Sequence, residues 1–287
     1  MNKFIKNEIN KLNITNYESI ELIREKDGIY VIRIFINNKH YILKCIEKEE
    51  YKREINNYLI LKNLGIKTID LIDYTDSSLL MEDITYSDKY RLAKKEDLNN
   101  EKVITSIAKW YKQFHTLGID YVNKYGANMY MESDCFTLEN IDYIMQKTNT
   151  NDNITWNVLI IQFNDLKKIL DNSVKTFNYN DFYYTNMIVA KDCTEAFMFD
   201  YNLLGKGYVS ADIRNVTVKL NSTLKDVFLK AYGEFNYQEM LLDEIIGTIV
   251  DLYYACQLRE FPEWGNEALE KITSGKIQDV LHKLFSK

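Results

Sequence analysis

The chain has 287 residues, is 46% hydrophobic and 27% charged, and carries a formal net charge of −6. That composition excludes a disordered chain, and the acidic balance argues against a duplex nucleic-acid binder, which would carry a basic stripe. No uninterrupted apolar stretch reaches the ~18 residues of a membrane helix. The N-terminal run MNKFIKNEINKLNI has no apolar h-region and no cleavage site, so a cytoplasmic protein without a membrane partner is expected. The length exceeds what one core usually fills, which points to two lobes.

In chain order, the first third reads as a small sheet with one helix. Ser19 to Ile23 is a short strand, and Arg24-Glu25-Lys26-Asp27-Gly28 a polar turn. Ile29 to Ile36 alternates and is rich in β-branched and aromatic residues, a strand signature. Asn37-Asn38-Lys39 makes a tight turn into a second strand, His40 to Ile46, closing an antiparallel hairpin. From Lys48 to Leu64 the period becomes helical, and Gly65 is placed to end that helix. Two more short apolar runs follow, Ile69 to Tyr74 and Ser78 to Met81.

The remainder reads as mainly helical. Glu101 to Leu117 carries apolar residues at Val103, Ile107, Trp110 and Phe114, an amphipathic helix ending at Gly118. Leu159 to Val174 and Gln238 to Leu258 are similar. Between them, Met187 to Ala190 and Ala196 to Phe199 flank a polar turn and read as a β-hairpin. The expected fold is α+β in two lobes: residues 1–83 with a small antiparallel sheet, residues 84–287 mostly helical. Cys45, Cys135, Cys193 and Cys256 are widely spaced with no CxxC pair, so free thiols are expected.

The chemistry is concentrated in Tyr179-Asn180-Asp181-Phe182-Tyr183-Tyr184-Thr185-Asn186, followed by Phe199-Asp200-Tyr201-Asn202. An Asp and an Asn five residues apart put a carboxylate and an amide oxygen on one loop. A second Asp at the end of the partner strand can share a metal with that Asn. Phosphoryl transfer needs such a set, with one carboxylate to orient the acceptor hydroxyl and hard oxygens for the magnesium that bridges the phosphates.

This segment resembles the catalytic loop and metal-binding hairpin of the aminoglycoside phosphotransferase and choline kinase superfamily, which has the protein-kinase-like fold. The family pattern H-G-D-x-x-x-x-N here reads Y-N-D-F-Y-Y-T-N, and I-D-x-[DE] reads F-D-Y-N. Further marks follow in family order and cover about two thirds of the chain. Lys44 lies on the third strand, Glu54 on the first helix, and Leu79 to Ile84 resembles the hinge. His115 closes the helix before the substrate region, and Asp212 matches an aspartate that steadies the catalytic loop.

The resemblance implies Asp181 as catalytic base and Asn186 and Asp200 as Mg2+ ligands. It implies a nucleotide site (ATP or GTP) made by Gly28, Lys44, Glu54, Met81, Glu82 and Ile84. The implied activity moves a γ-phosphoryl group to a hydroxyl of a small molecule, aminoglycoside-like or another amino alcohol or sugar. Tyr183, Tyr184 and Tyr201 flank the carboxylates and are candidate acceptor contacts. Tyr179, Asn180 and Asn202 depart from the pattern, and they leave open a second class: a kinase-like nucleotide-binding protein with little or no turnover. His115 reads as a packed histidine in preference to a base.

Overall fold

A computed structural model describes residues 2–286. In chain order, the first elements are α1 (Lys3–Lys11), β1 (Ser19–Lys26), β2 (Ile29–Ile36), β3 (Lys39–Ile46), α2 (Arg53–Asn63), β4 (Leu71–Tyr74) and β5 (Ser78–Glu82). Next come β6 (Tyr90–Leu92), α3 (Glu101–Tyr125), α4 (Leu138–Thr148), α5 (Ile154–Asn172), β7 (Thr176–Asn178), β8 (Met187–Ala190) and β9 (Ala196–Met198). The chain closes with β10 (Gly205–Gly207), α6 (Val209–Thr217), α7 (Ser222–Tyr232), α8 (Tyr237–Gln257), α9 (Glu263–Thr273) and α10 (Lys276–Phe285). Among the described residues no helix is long and apolar enough to cross a membrane.

The chain divides into two compact units. The first contains residues 1–117, 181–204 and 217–233. Its main sheet is antiparallel, in the order β1-β2-β3-β5-β4, and a three-stranded sheet pairs β6-β8-β9. The β2–β3 turn is Asn37-Asn38 with both φ positive, 52° and 61°. That geometry suits the twist of a hairpin and tolerates Asn. Helix α2 stops at Asn63, and Gly65 at φ 72° follows, the left-handed glycine expected after a helix.

Two features of this unit differ from the sequence reading. First, residues 3–11 form a helix, capped by the Asn2 side chain, which accepts from the Phe4 amide at 3.0 Å. Ile5 and Ile9, with Leu12 just past its end, pack into a core with Ile32, Ile34 and Leu43. Second, β1 continues to Lys26, so Arg24 to Lys26 is strand and only Asp27-Gly28 turns, at φ 54° and 79°.

The second unit contains residues 118–180, 205–216 and 234–287. Its core gathers α4, α5, α8, α9 and α10 around fully buried Trp156, Phe136, Leu159, Ile245 and Ile249. A short antiparallel ribbon pairs β7 with β10.

Gly118 does not end α3, which runs to Tyr125. A Cβ at Gly118 would stand 2.5 Å from Thr176 Oγ1 and 2.6 Å from the Phe177 amide nitrogen. The glycine is there so that β7 can lie against the helix. Gly118→Ala forces backbone apart and should lower unfolding stability by about 2 kcal/mol, measured by urea denaturation. A variant as stable as wild type would show that the ribbon yields freely.

Candidate functional site

The site lies in the first unit and begins with α2. Its Glu54 is fully buried, an unusual position for a carboxylate unless it is paired. Lys44 on β3 is 8% exposed and meets Glu54 at 2.7 Å (Oε1) and 2.6 Å (Oε2). The same ammonium reaches Asp200 Oδ1 at 2.9 Å. Burial alone would lower the Lys44 pKa, but the Glu54 and Asp200 carboxylates hold it above the ordinary value. Burial pushes Glu54 up to about 7, against the pull of Lys44.

Polar residues of α2 also fasten the segment that follows β9. Asn57 Nδ2 donates to the Tyr201 carbonyl at 2.8 Å, and Arg53 Nε to the Asn202 carbonyl at 2.6 Å. The Tyr58 hydroxyl accepts from the Asp200 amide at 3.4 Å. Asp200 itself sits at φ 65° in the left-handed region, a conformation Asp tolerates better than most residues.

The loop residues come together by backbone pairing. The Phe199 amide donates to the Asn186 carbonyl at 2.9 Å, which sets Asn186 beside Asp200. Asn186 Nδ2 donates to Asp181 Oδ2 at 2.7 Å and to the Asp181 carbonyl at 3.2 Å. With its NH2 turned to Asp181, the Asn186 amide oxygen points elsewhere. Burial, and after it the Asp200 carboxylate, raise the Asp181 pKa above the ordinary carboxylate value, with Asn186 and Lys44 opposing.

These residues open on a cleft of about 590 Å3, lined by Lys44, Glu54, Met81, Glu82, Ile84, Asn186 and Asp200 among others. That volume suits a small organic ligand. Gly28 itself does not line it, although its neighbours Asp27 and Ile29 do. Asp181 does not line it either and meets it through Asn186.

Oxygen donors for a cation are present. Asp200 keeps Oδ2 free of Lys44, and Asn186 keeps its amide oxygen. Asn202 Oδ1 is buried without a hydrogen-bond partner on a residue that lines the cleft. Among the described residues no three His, Cys, Asp or Glu side chains form a metal cage. A donor set of one or two carboxylates with amides is what Mg2+ uses when phosphates complete its shell.

The candidate acceptor tyrosines separate. Tyr183 is 51% exposed, with the Lys219 ammonium 5.3 Å from its ring centre, and Tyr184 is half-buried. Tyr201 is a correction to the sequence reading, because it is fully buried. Its hydroxyl donates to the Met198 carbonyl and its ring meets Tyr58 edge-on at 4.7 Å. It is a packing residue out of reach of an acceptor.

His115 is buried with Nδ1 3.0 Å from the Tyr232 hydroxyl, a packed histidine as expected. Sequence reasoning missed Arg53 and Asn57 because their partners are main-chain carbonyls, which leave no trace in a motif.

In the second unit, Asp212 of α6 is 1% exposed and accepts from the Tyr179 amide at 2.8 Å and the Asn180 amide at 3.1 Å. Tyr179 is fully buried, and Asn180 holds φ 65°. Asp212→Ala orphans two amides and should lower stability by about 3 kcal/mol, with Asp212→Asn losing less. Equal stability of both variants in urea denaturation would dismiss this bracing role.

No model of a protein family matches the sequence, and no curated protein is matched by it. Solved structures do match in fold. Choline kinase LicA from Streptococcus pneumoniae is 16% identical with a TM-score of 0.64, covering 99% of each chain. An ethanolamine kinase from Plasmodium vivax is 13% identical with a TM-score of 0.60, over 96% of this chain and 88% of that one. The GDP complex of aminoglycoside 2'-phosphotransferase-IIIa is 10% identical with a TM-score of 0.64, over 97% of this chain and 100% of that one. The fold is therefore the α+β, protein-kinase-like fold of the choline kinase and aminoglycoside phosphotransferase structures, with a small antiparallel sheet and many helices.

Proposed function

We propose that this protein is a small-molecule kinase, which moves the γ-phosphoryl group of ATP or GTP to a hydroxyl of a small acceptor. One observation carries the reading: the Lys44–Glu54 pair, Asp200 and the Asn186–Asp181 pair form one connected chain of contacts at one cleft. In support, solved proteins of this fold are choline, ethanolamine and aminoglycoside phosphotransferases. The nucleotide-binding part is residues 1–83, and residues 84–287 supply the catalytic loop and the acceptor site.

In this reading Lys44, aimed by Glu54, grips the nucleotide phosphates, and the hinge residues Met81, Glu82 and Ile84 hold the base. Asn186 and Asp200 would hold Mg2+, and Asn202 would offer a further oxygen. When bound, the ion neutralises charge on the phosphates. The acceptor oxygen attacks the γ-phosphorus in line while the bond to the β–γ bridging oxygen breaks, releasing the nucleoside diphosphate. The acceptor proton passes to the Asp181 carboxylate, whose raised pKa makes it a better proton acceptor than an exposed aspartate. The acceptor is an aminoglycoside-like compound or another amino alcohol or sugar, with Tyr183 and Tyr184 as its contacts.

The experiment is ATP- and GTP-consumption over a panel of choline, ethanolamine, aminoglycosides and sugars. With the acceptor so found, Asp181→Ala should lower turnover by about 10²–10⁴-fold while nucleotide affinity stays within twofold. Normal turnover by that variant would remove Asp181 from the mechanism. Nucleotide binding without turnover on any acceptor would favour a binding protein, the reading that Asn202 in place of an acid motivates.

Glu54→Gln leaves Asp200 as the only carboxylate on Lys44. It should weaken triphosphate binding in calorimetry and leave nucleoside binding unchanged. Unchanged triphosphate affinity would separate the ion pair from phosphate recognition.

A further inference from the structure

Strands β1 and β2 contribute residues to the cleft lining, and one irregularity in their pairing decides which residues of β1 these are. On β2, Ile29, Val31 and Arg33 line the cleft, whereas Tyr30, Ile32 and Ile34 lie in the core beside α1. Residues directly opposed across an antiparallel pair share a face. Glu21 pairs with Arg33 and Leu22 with Ile32. Up to that point, the odd-numbered residues of β1 therefore belong to the cleft side. Unbroken alternation would carry Ile23 and then Glu25 to that side.

The register instead shifts between Leu22 and Arg24. Beyond the shift Arg24 pairs with Val31, Glu25 with Tyr30 and Lys26 with Ile29. Arg24 and Lys26 are thereby turned to the cleft, which both line, and Glu25 is turned to the Tyr30 side. Bulges commonly re-aim side chains beside functional sites. This one keeps Glu25 out of the lining and brings Arg24 and Lys26 into it.

The fold makes little other use of these cations. The Arg24 side chain has no ion pair or hydrogen bond among the described residues. Lys26 meets Asp27 at 4.0 Å with both side chains largely exposed, a pairing worth little. The turn between the strands is only Asp27-Gly28, which leaves no glycine-rich loop to fold over phosphates.

We infer that Arg24 and Lys26 form a second cationic grip on the terminal phosphates of the nucleotide, aimed by the β1 bulge and standing in for a glycine-rich loop. The inference rests on the nucleoside-triphosphate reading of the cleft.

The test titrates wild type, Arg24→Gln, Lys26→Gln and the double variant with adenosine, ADP and ATP, and with guanosine, GDP and GTP. Magnesium is present throughout, at low and high KCl. Arg24→Gln should weaken the preferred triphosphate about tenfold, roughly the loss of one charge-assisted hydrogen bond. The double variant should lose more and show a shallower salt dependence. Nucleoside affinity should stay unchanged in every variant, which also reports an intact cleft. Arg24→Lys should retain most of the affinity, and Glu25→Gln, on the opposite face, all of it.

A double variant that binds triphosphate within twofold of wild type would overturn the inference and leave the nucleotide reading standing. Wild type that binds neither triphosphate would overturn both.

Discussion

The buried ion pair between Lys44 and Glu54 is the constraint on which the rest of the site depends. Two charges taken out of water lose hydration that their mutual attraction only partly returns, and removing one partner of such a pair costs about 3–5 kcal/mol. Glu54 has no solvent to fall back on, so α2 must present it to Lys44 or carry an uncompensated charge. The pair therefore fixes the distance between β3 and α2. Because Lys44 also reaches Asp200, it fixes the end of the β8–β9 hairpin as well. Arg53 and Asn57 on the same helix take the Asn202 and Tyr201 carbonyls, so one helix aligns an ammonium and the segment carrying a carboxylate. A fold that wanted only stability could have used apolar residues here. Charges in this place make sense when a phosphate is to compete for the ammonium.

The backbone carries a matching constraint. Asp200 and Asn180 both hold left-handed φ values near 65°, which non-glycine residues adopt at a cost of about 1–3 kcal/mol. Each is held by its surroundings. The amide of Asp200 faces the Tyr58 hydroxyl, and in the second unit the Asn180 amide is fixed on buried Asp212. Strain kept at two positions flanking the same short motif is readily understood as the means of aiming side chains that regular strand geometry would point elsewhere.

Much of this was legible from the residues. The Asp–Asn spacing, the strand lysine, the helical glutamate and the β8–β9 hairpin stand out because each is local: a period, a turn or a fixed offset along the chain. What stayed hidden depends on distant partners. The helix at residues 3–11 was not read from its charged segment, because the partners of its buried Glu8 include Thr75 and Ser78, far along the chain. Strand β10, Gly-Lys-Gly, has the composition of a turn and exists because β7 pairs with it. Gly118 looked like a stop signal, yet it serves close packing. Tyr201 sat next to a catalytic-looking aspartate, and only three-dimensional packing shows that its side chain points inward. The β1 bulge could not be read at all, since a register shift is a property of two strands and leaves no mark on one.

Charge balance connects these features. Among the acids that line the cleft is Asp200, and one contact away lies Asp181, whose pKa is raised by burial and by Asp200. An acid at position 202, two residues on from Asp200, would add to the negative charge of a lining that already includes Glu54, Glu82 and Asp83. The amide at Asn202 offers an oxygen without that charge, and its Oδ1 is left buried and unpartnered. Elsewhere in the lining, the bulge withholds Glu25 and presents Arg24 and Lys26. Both departures shift the potential in the same direction, toward a cleft that can accept a polyanion. A neutral amide at this position therefore does not by itself argue for an idle site, because it keeps an oxygen donor on a residue that lines the cleft while adding no negative charge.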